Sequence, residues 1–209
     1  MTARELPTIP VAGTDVRICR VGFGCSRLFG RSEFKASARL IEAALEAGIR
    51  HFDTAPLYGA GDSERVVGEV TAGMRDVTIT TKAGYARPTG RRRGDDLRSL
   101  YRRYARPVLS RFPSVKSRLL GLAAGKKTAS VAPPEPKARL APAEVLRQLE
   151  ESLQCLRRDR VEIYLLHEPD RFELTPELEG CFRELQSRGL VGAFGLGYDR
   201  AAQPAHPPF

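Results

Sequence analysis

The spacing of apolar positions changes repeatedly along this chain, and each change marks a new element. Residues 36–48, ASARLIEAALEAG, place Leu40, Ile41, Ala44 and Leu45 on one helical face, and Gly48 supplies a stop. Residues 62–70, DSERVVGEV, open with an Asp-Ser cap and early acids, which predicts a second helix. Residues 142–156 carry Val145, Leu146, Leu149, Leu153 and Leu156 at the same period behind Pro142. Residues 176–188, closed by Gly189, predict a fourth helix. Between the helices lie short apolar runs that read as strands: 21–25, 49–54, 77–82, 161–167 and 191–197. Residues 6–20 alternate weakly around Pro7, Pro10 and Gly13 and predict a β-hairpin ahead of the first strand.

The order after the hairpin is βαβαβ, a long interruption, then αβαβ. Strands of near-continuous apolar character alternating with helices predict a parallel sheet with right-handed crossovers. The interruption, residues 84–141, holds RPTGRRRGDD, a run of scattered apolar positions and APPEP. A loop of that length is rare inside a compact domain. Short basic helices within 95–124 and a flexible stretch at 125–138 are expected there. The chain closes on YDRAAQPAHPPF, which has no helical period and three prolines.

Composition changes this picture little, and charge changes it locally. The 209 residues, 42% apolar and 28% charged, suit one domain or part of a larger one. No apolar run approaches the length of a membrane span, and the N-terminus has no apolar signal core. Cys19, Cys25, Cys155 and Cys181 form no CxxC pair and no zinc spacing with histidine, so reduced thiols, no metal and a cytoplasmic setting are expected. The net charge of +9 comes from one place. Residues 85–139 hold 15 Lys+Arg against three acids, leaving 19 basic and 22 acidic residues elsewhere. Tyr85, Tyr101, Tyr104 and Phe112 lie among those arginines, a composition that single-strand binders also use. No nucleic-acid motif accompanies them, so such binding is not expected.

The chemistry gathers at strand ends. Asp53 closes IRHFD with Tyr58 five residues on, Lys82 closes VTITTK, and His167 closes VEIYLLH. In a parallel α/β barrel the C-terminal strand ends converge on one pocket. A phenol, an ammonium, a carboxylate and an imidazole gathered there make a general-acid site. Lys82 beside the phenol is expected to lower the Tyr58 pKa, with Asp53 orienting the ammonium. A bland reading stands beside it: an ordinary Asp–Lys ion pair and a rim histidine bonded to a carbonyl. GFGC at 22–25 starts like a dinucleotide fingerprint but has Arg27 where the third glycine belongs.

These segments resemble the aldo-keto reductase family. GIRHFDTAPLYGAGDSERVVGE at 48–69 is similar to the family's signature around its Asp and Tyr. TITTKAG and VEIYLLHEPD resemble the segments carrying its lysine and histidine, and follow in the same order. The resemblance implies a (β/α)8 TIM-type barrel with an N-terminal hairpin, about five of its eight strands present. It forms one partial barrel domain over 1–209 with a basic insertion at about 84–141. It implies metal-free hydride transfer between NADP(H), or alternatively NAD, and a small carbonyl, alcohol or sugar. Tyr58 would then be the general acid/base, Lys82 and Asp53 would tune it, and His167 would orient the carbonyl. Gly24, Cys25 and Asp53 would line the cofactor. Gly197 and Tyr198 stand where the family carries a Ser-Asn pair for the nicotinamide amide. The length of the basic segment resembles that of the family's sugar-dehydrogenase-like branch.

Three family strands have no counterpart in the 209 residues, so the sequence reads as a C-terminally truncated member. The alternative function is an inactive barrel that serves as an oligomerisation or binding module. Open strand edges favour pairing with another chain, so self-association is expected. Light scattering on the purified chain should show oligomers or aggregates; a stable monomer with a sharp, cooperative melt would refute this.

Overall fold

The computed structural model describes residues 6–30, 33–88, 139–169 and 174–198. The helices expected within 95–124, the flexible stretch 125–138 and most of the C-terminal tail lie outside the described residues. A two-stranded antiparallel hairpin, β1 (Thr8–Pro10) and β2 (Arg17–Cys19), comes first. There follow β3 (Gly22–Gly24), α1 (Phe34–Glu46), β4 (His51–Asp53), α2 (Ser63–Val70), β5 (Thr78–Ala83), α3 (Pro142–Leu156), β6 (Val161–His167), α4 (Pro176–Ser187) and β7 (Val191–Gly197). Strands β3 to β7 form one parallel sheet in sequential order. Each strand pairs with the next across a helical crossover, which is the winding of a (β/α) barrel. The five-stranded sheet and the hairpin match part of such a barrel.

Proline at the first helical position starts both α3 and α4, where its missing N–H is no loss. Thr175 caps α4 by accepting the Leu178 N–H at 3.2 Å. Asp62 precedes α2 but makes no side-chain cap, contrary to the sequence expectation. The hydroxyl of Ser63 instead donates to the Cys25 carbonyl at 2.9 Å and ties α2 to the end of β3.

One face of the sheet meets the helices. Ile79, Ala83, Tyr164 and Leu166 pack there with Val66 and Val67 of α2 and Val145 and Leu149 of α3, all buried. The Tyr164 hydroxyl donates to the Val145 carbonyl, so even this large side chain keeps its polar atom partnered. Helices α2 and α3 approach closely because Gly68 has no side chain; a Cβ there would lie 2.3 Å from the Cys155 carbonyl oxygen. The other face is polar at β4 and β5. His51 sits between the Thr78 and Thr80 hydroxyls, at 2.9 and 3.2 Å, and Asp53 and Lys82 stand above it.

Two sequence expectations shift. Leu40 is 53% exposed, because α1 buries Ser37, Ala38, Ile41 and Ala44 and turns Leu40 outward. The strand at 21–25 is not wholly buried: Gly22 and Gly24 are exposed, and only Cys25 at its end is enclosed. Among the described residues no helix is long and apolar enough to cross a membrane. The packing predicts unequal losses for two leucines. Leu149→Ala should cost about 2–5 kcal/mol in denaturant unfolding, and Leu40→Ala less than about 0.5 kcal/mol. Comparable losses at the two positions would contradict this helix phase.

Candidate active site

Strand alternation decides where Lys82 goes. Its neighbours Thr81 and Ala83 turn toward the helices, where Thr81 donates to the buried Glu64 carboxylate of α2 at 2.5 Å. Lys82 therefore points to the opposite face. There its ammonium lies 2.6 Å from Asp53 Oδ1 and donates to the Thr54 carbonyl at 2.9 Å. The lysine side chain is 7% exposed and that of Asp53 40%. A charge so far removed from water requires its counter-ion and carbonyl to offset the lost hydration.

Tyr58 opens a short 3-10 turn, Tyr58–Gly61, just beyond β4. Gly59, Ala60 and Gly61 all have left-handed backbone, with φ of 58°, 57° and 93°. Gly59 is required there, since a Cβ would come within 1.8 Å of the Leu28 carbonyl oxygen. Ala60 accepts a conformation that costs a non-glycine residue roughly 1–2 kcal/mol. Strain of this kind gathers at sites whose surroundings hold a side chain in place. The turn presents the Tyr58 ring to Lys82, whose Nζ lies 4.8 Å from the ring centroid. His167, at the end of β6, meets the same ring edge-on at 5.7 Å between centroids.

Asp53, Tyr58, Lys82 and His167, singled out in the sequence, thus form one cluster at the C-terminal ends of β4, β5 and β6. Gly24 belongs to the same rim: it pairs in register with Asp53, and nothing lies within 4 Å of the point its Cβ would occupy. Cys25 differs from expectation. It is fully buried, its thiol directed at the Phe23 carbonyl, and burial followed by the Asp53 charge pushes its pKa up to about 12. Its side chain faces the core.

The electrostatics also correct one expectation. The Tyr58 pKa is pushed up to about 12, by burial first and then by the negative charges of Asp53 and Glu168. The Lys82 ammonium, paired with Asp53 and set over the face of the ring, does not reverse this direction. The His167 pKa moves down from its ordinary value, through burial and then the Lys82 charge. Its Nδ1 is buried and has no hydrogen-bond partner among the described residues. At neutral pH both rings are uncharged: the phenol keeps its proton, and the imidazole has one N–H to give.

Two further residues complete the cluster. Tyr85, three positions past Lys82, packs edge-on against His167 at 5.2 Å and donates its hydroxyl to Glu168 Oε2 at 2.7 Å. The sequence grouped Tyr85 with the aromatics of the basic segment; the structure attaches it to the site. Glu168 directly follows His167, and that adjacency was the one available signal for it. Behind the rim, Arg87 pairs with Glu64 and donates to the Gly61 carbonyl, binding the exit of β5 to the Tyr58 turn. On the helix side, Gln148 accepts the Gly84 N–H at 2.9 Å.

Residues 20–203 match the aldo/keto reductase family, and the chain belongs to it. It is 28% identical over 194 residues to D-threo-aldose 1-dehydrogenase from Pseudomonas sp, covering 89% of this chain and 52% of that one. Its fold superposes on the holo form of an aldo-keto reductase from Bacillus halodurans with a TM-score of 0.60 and 23% identity, over 92% of this chain and 50% of that one. It also resembles a Bombyx mori aldo-keto reductase in complex with NADP, with a TM-score of 0.56 and 19% identity, over 93% of this chain and 51% of that one. The chain spans about half the length of the curated relatives it matches over most of its own.

The site makes a pH prediction that needs no turnover. A depressed pKa means His167 loses its proton below its ordinary midpoint of about 6.5 as pH rises. Lys82→Met removes a positive charge that disfavours imidazolium, so the midpoint should rise. NMR titration of the His167 ring, assigned by its loss in His167→Gln, measures this; an unchanged or lower midpoint would contradict the arrangement.

Proposed function

We propose that this chain bears the proton-transfer site of an NADP(H)-dependent reductase that interconverts small carbonyl compounds, sugars among them, with their alcohols. The observation that carries the reading is the Tyr58–Lys82–His167 cluster, with both rings neutral and the ammonium braced by Asp53. A carbonyl oxygen set between the phenol and the imidazole would accept a hydrogen bond from each. Negative charge developing on that oxygen during reduction is met by the Tyr58 proton. A phenol held near 12 remains a stronger acid than the alcohol it forms, so the transfer runs downhill. The phenolate left behind faces the Lys82 ammonium across its own ring and regains a proton from solvent. In the reverse direction the same phenolate removes the alcohol proton.

The residues present fit the reactive end of a nicotinamide dinucleotide, which when bound supplies the hydride. The open space above Gly24, beside the half-exposed Asp53 carboxylate, leaves room for a flat ring against the rim. Gly24 and Asp53 would line it. Gly197 and Tyr198 follow on β7, and the glycine brings no side-chain donor there. NADP(H) is favoured by the family and by the NADP-bound Bombyx mori relative, with NAD as the alternative.

The test is reduction of DL-glyceraldehyde by NADPH, followed at 340 nm. Tyr58→Phe should lower kcat by about 10²–10⁴-fold, the usual worth of a positioned general acid. Turnover by the native chain that survives this substitution would disprove the assignment.

A further inference from the structure

Beneath the Lys82–Asp53 pair lies a buried imidazole that the proton transfer does not use. His51 opens β4 two residues before Asp53 and is 8% exposed. Its ring faces two β5 hydroxyls, with Nδ1 2.9 Å from Thr78 Oγ1 and Nε2 3.2 Å from Thr80 Oγ1. Gly22 on β3 leaves room for the ring, since a Cβ there would lie 3.0 Å from it.

The hydroxyl protons decide the tautomer. Thr78 Oγ1 donates its one proton to the Arg50 carbonyl at 3.1 Å, so toward the ring it can only accept. Nδ1 therefore carries the imidazole proton and donates to Thr78. Nε2 is left bare and accepts from Thr80. Burial, opposed by Asp53 and seconded by Lys82, moves the His51 pKa down from its ordinary value, so the ring is uncharged at neutral pH.

This bridge reaches Lys82 through the backbone. Thr80, whose hydroxyl is held by the ring, accepts the Thr54 N–H on its carbonyl at 2.8 Å. The Thr54 carbonyl in turn accepts from Lys82 Nζ at 2.9 Å. The ladder between β4 and β5 is short, running from the His51–Thr78 pair to the Asp53–Thr80 pair. The imidazole stitches the first of these pairs to the last.

We propose that His51 is a positioning residue for Lys82: a neutral imidazole, held as the Nδ1–H tautomer between Thr78 and Thr80, fixes β4 against β5 below the ion pair and so sets the ammonium against Asp53 and the Tyr58 ring. For its effect on turnover the inference rests on the reductase reading.

The experiment follows two groups of the full chain by NMR. The ring nitrogens of His51 are assigned by their loss in His51→Gln, and the Lys82 ammonium by its loss in Lys82→Met. At neutral pH His51 should show a protonated Nδ1 and a bare Nε2. His51→Phe keeps a ring and removes both hydrogen bonds. It should displace or broaden the Lys82 signal and lower kcat for glyceraldehyde reduction by NADPH about tenfold, with KM little changed, as a slightly misplaced group would. His51→Gln, whose amide offers one donor and one acceptor, should restore most of both. Thr80→Val removes a single hydroxyl; it should displace the Lys82 signal in the same sense, and it decides the matter if His51→Phe does not fold. Leu149→Ala, a loss of packing in the helix layer, should leave that signal in place. A protonated Nε2, a Lys82 signal unmoved by His51→Phe and Thr80→Val, or one moved equally by Leu149→Ala overturns the proposal and leaves the reductase reading intact. A Lys82 signal displaced as expected, in a chain whose turnover ignores Tyr58→Phe, overturns the reductase reading and leaves the positioning role standing.

Discussion

The Lys82 ammonium is enclosed by protein, and much of the rim is arranged around that fact. Its hydration is replaced by Asp53 Oδ1 and the Thr54 carbonyl, both supplied by the end of β4. The pair bridges two adjacent parallel strands, so it also specifies their register. A slip of one residue in β5 would swing Lys82 off this face into the helix layer, away from Asp53 and the Thr54 carbonyl. Tyr58 lies with its ring face to the ammonium, and His167 meets the edge of Tyr58. Each contact presupposes the one before it.

The rim is held from outside as well. Glu64 is wholly buried at the start of α2, yet it accepts from Thr81 on β5 and pairs with Arg87 just beyond it. Arg87 also grips the Gly61 carbonyl, so one carboxylate on a helix joins the lysine strand to the tyrosine turn. Gln148 on α3 accepts the Gly84 N–H at the same strand exit. A buried polar network satisfied in this way rigidifies what it touches. The left-handed run Gly59–Gly61 needs such support, because strained backbone persists only where its surroundings over-determine it.

Burial then sets the character of the site. It favours the neutral form of both Tyr58 and His167, moving one pKa up and the other down. The result is two hydrogen-bond donors beside an internally neutral ion pair, which suits proton delivery to a carbonyl oxygen. Glu168 stands beside this group, its carboxylate accepting from the Tyr85 hydroxyl. All of it lies within a chain that spans about half the length of its curated relatives, and the described residues carry the whole of the proposed proton chemistry.

Much of this was legible in the order of residues. Helix α3 and strands β6 and β7 fall where hydrophobic period places them, because long amphipathic or apolar runs have one way to bury their surface. Asp53, Tyr58, Lys82 and His167 were legible as strand-end ionisable groups, since parallel strands must bring their C-terminal ends to one side. Three things required the tertiary structure. Leu40 turns outward because the phase of α1 against the sheet, and not its spacing alone, selects the buried stripe. The Tyr58 pKa rises because burial, and then the Asp53 charge, favour the protonated phenol, a matter of enclosure and distance that spacing does not contain. Tyr85 and Glu168 join the site through a left-handed turn and a contact between residues 83 positions apart. Local sequence sets period and propensity; which charges meet, and how far from water, depends on strands and turns that become neighbours only when the chain is folded.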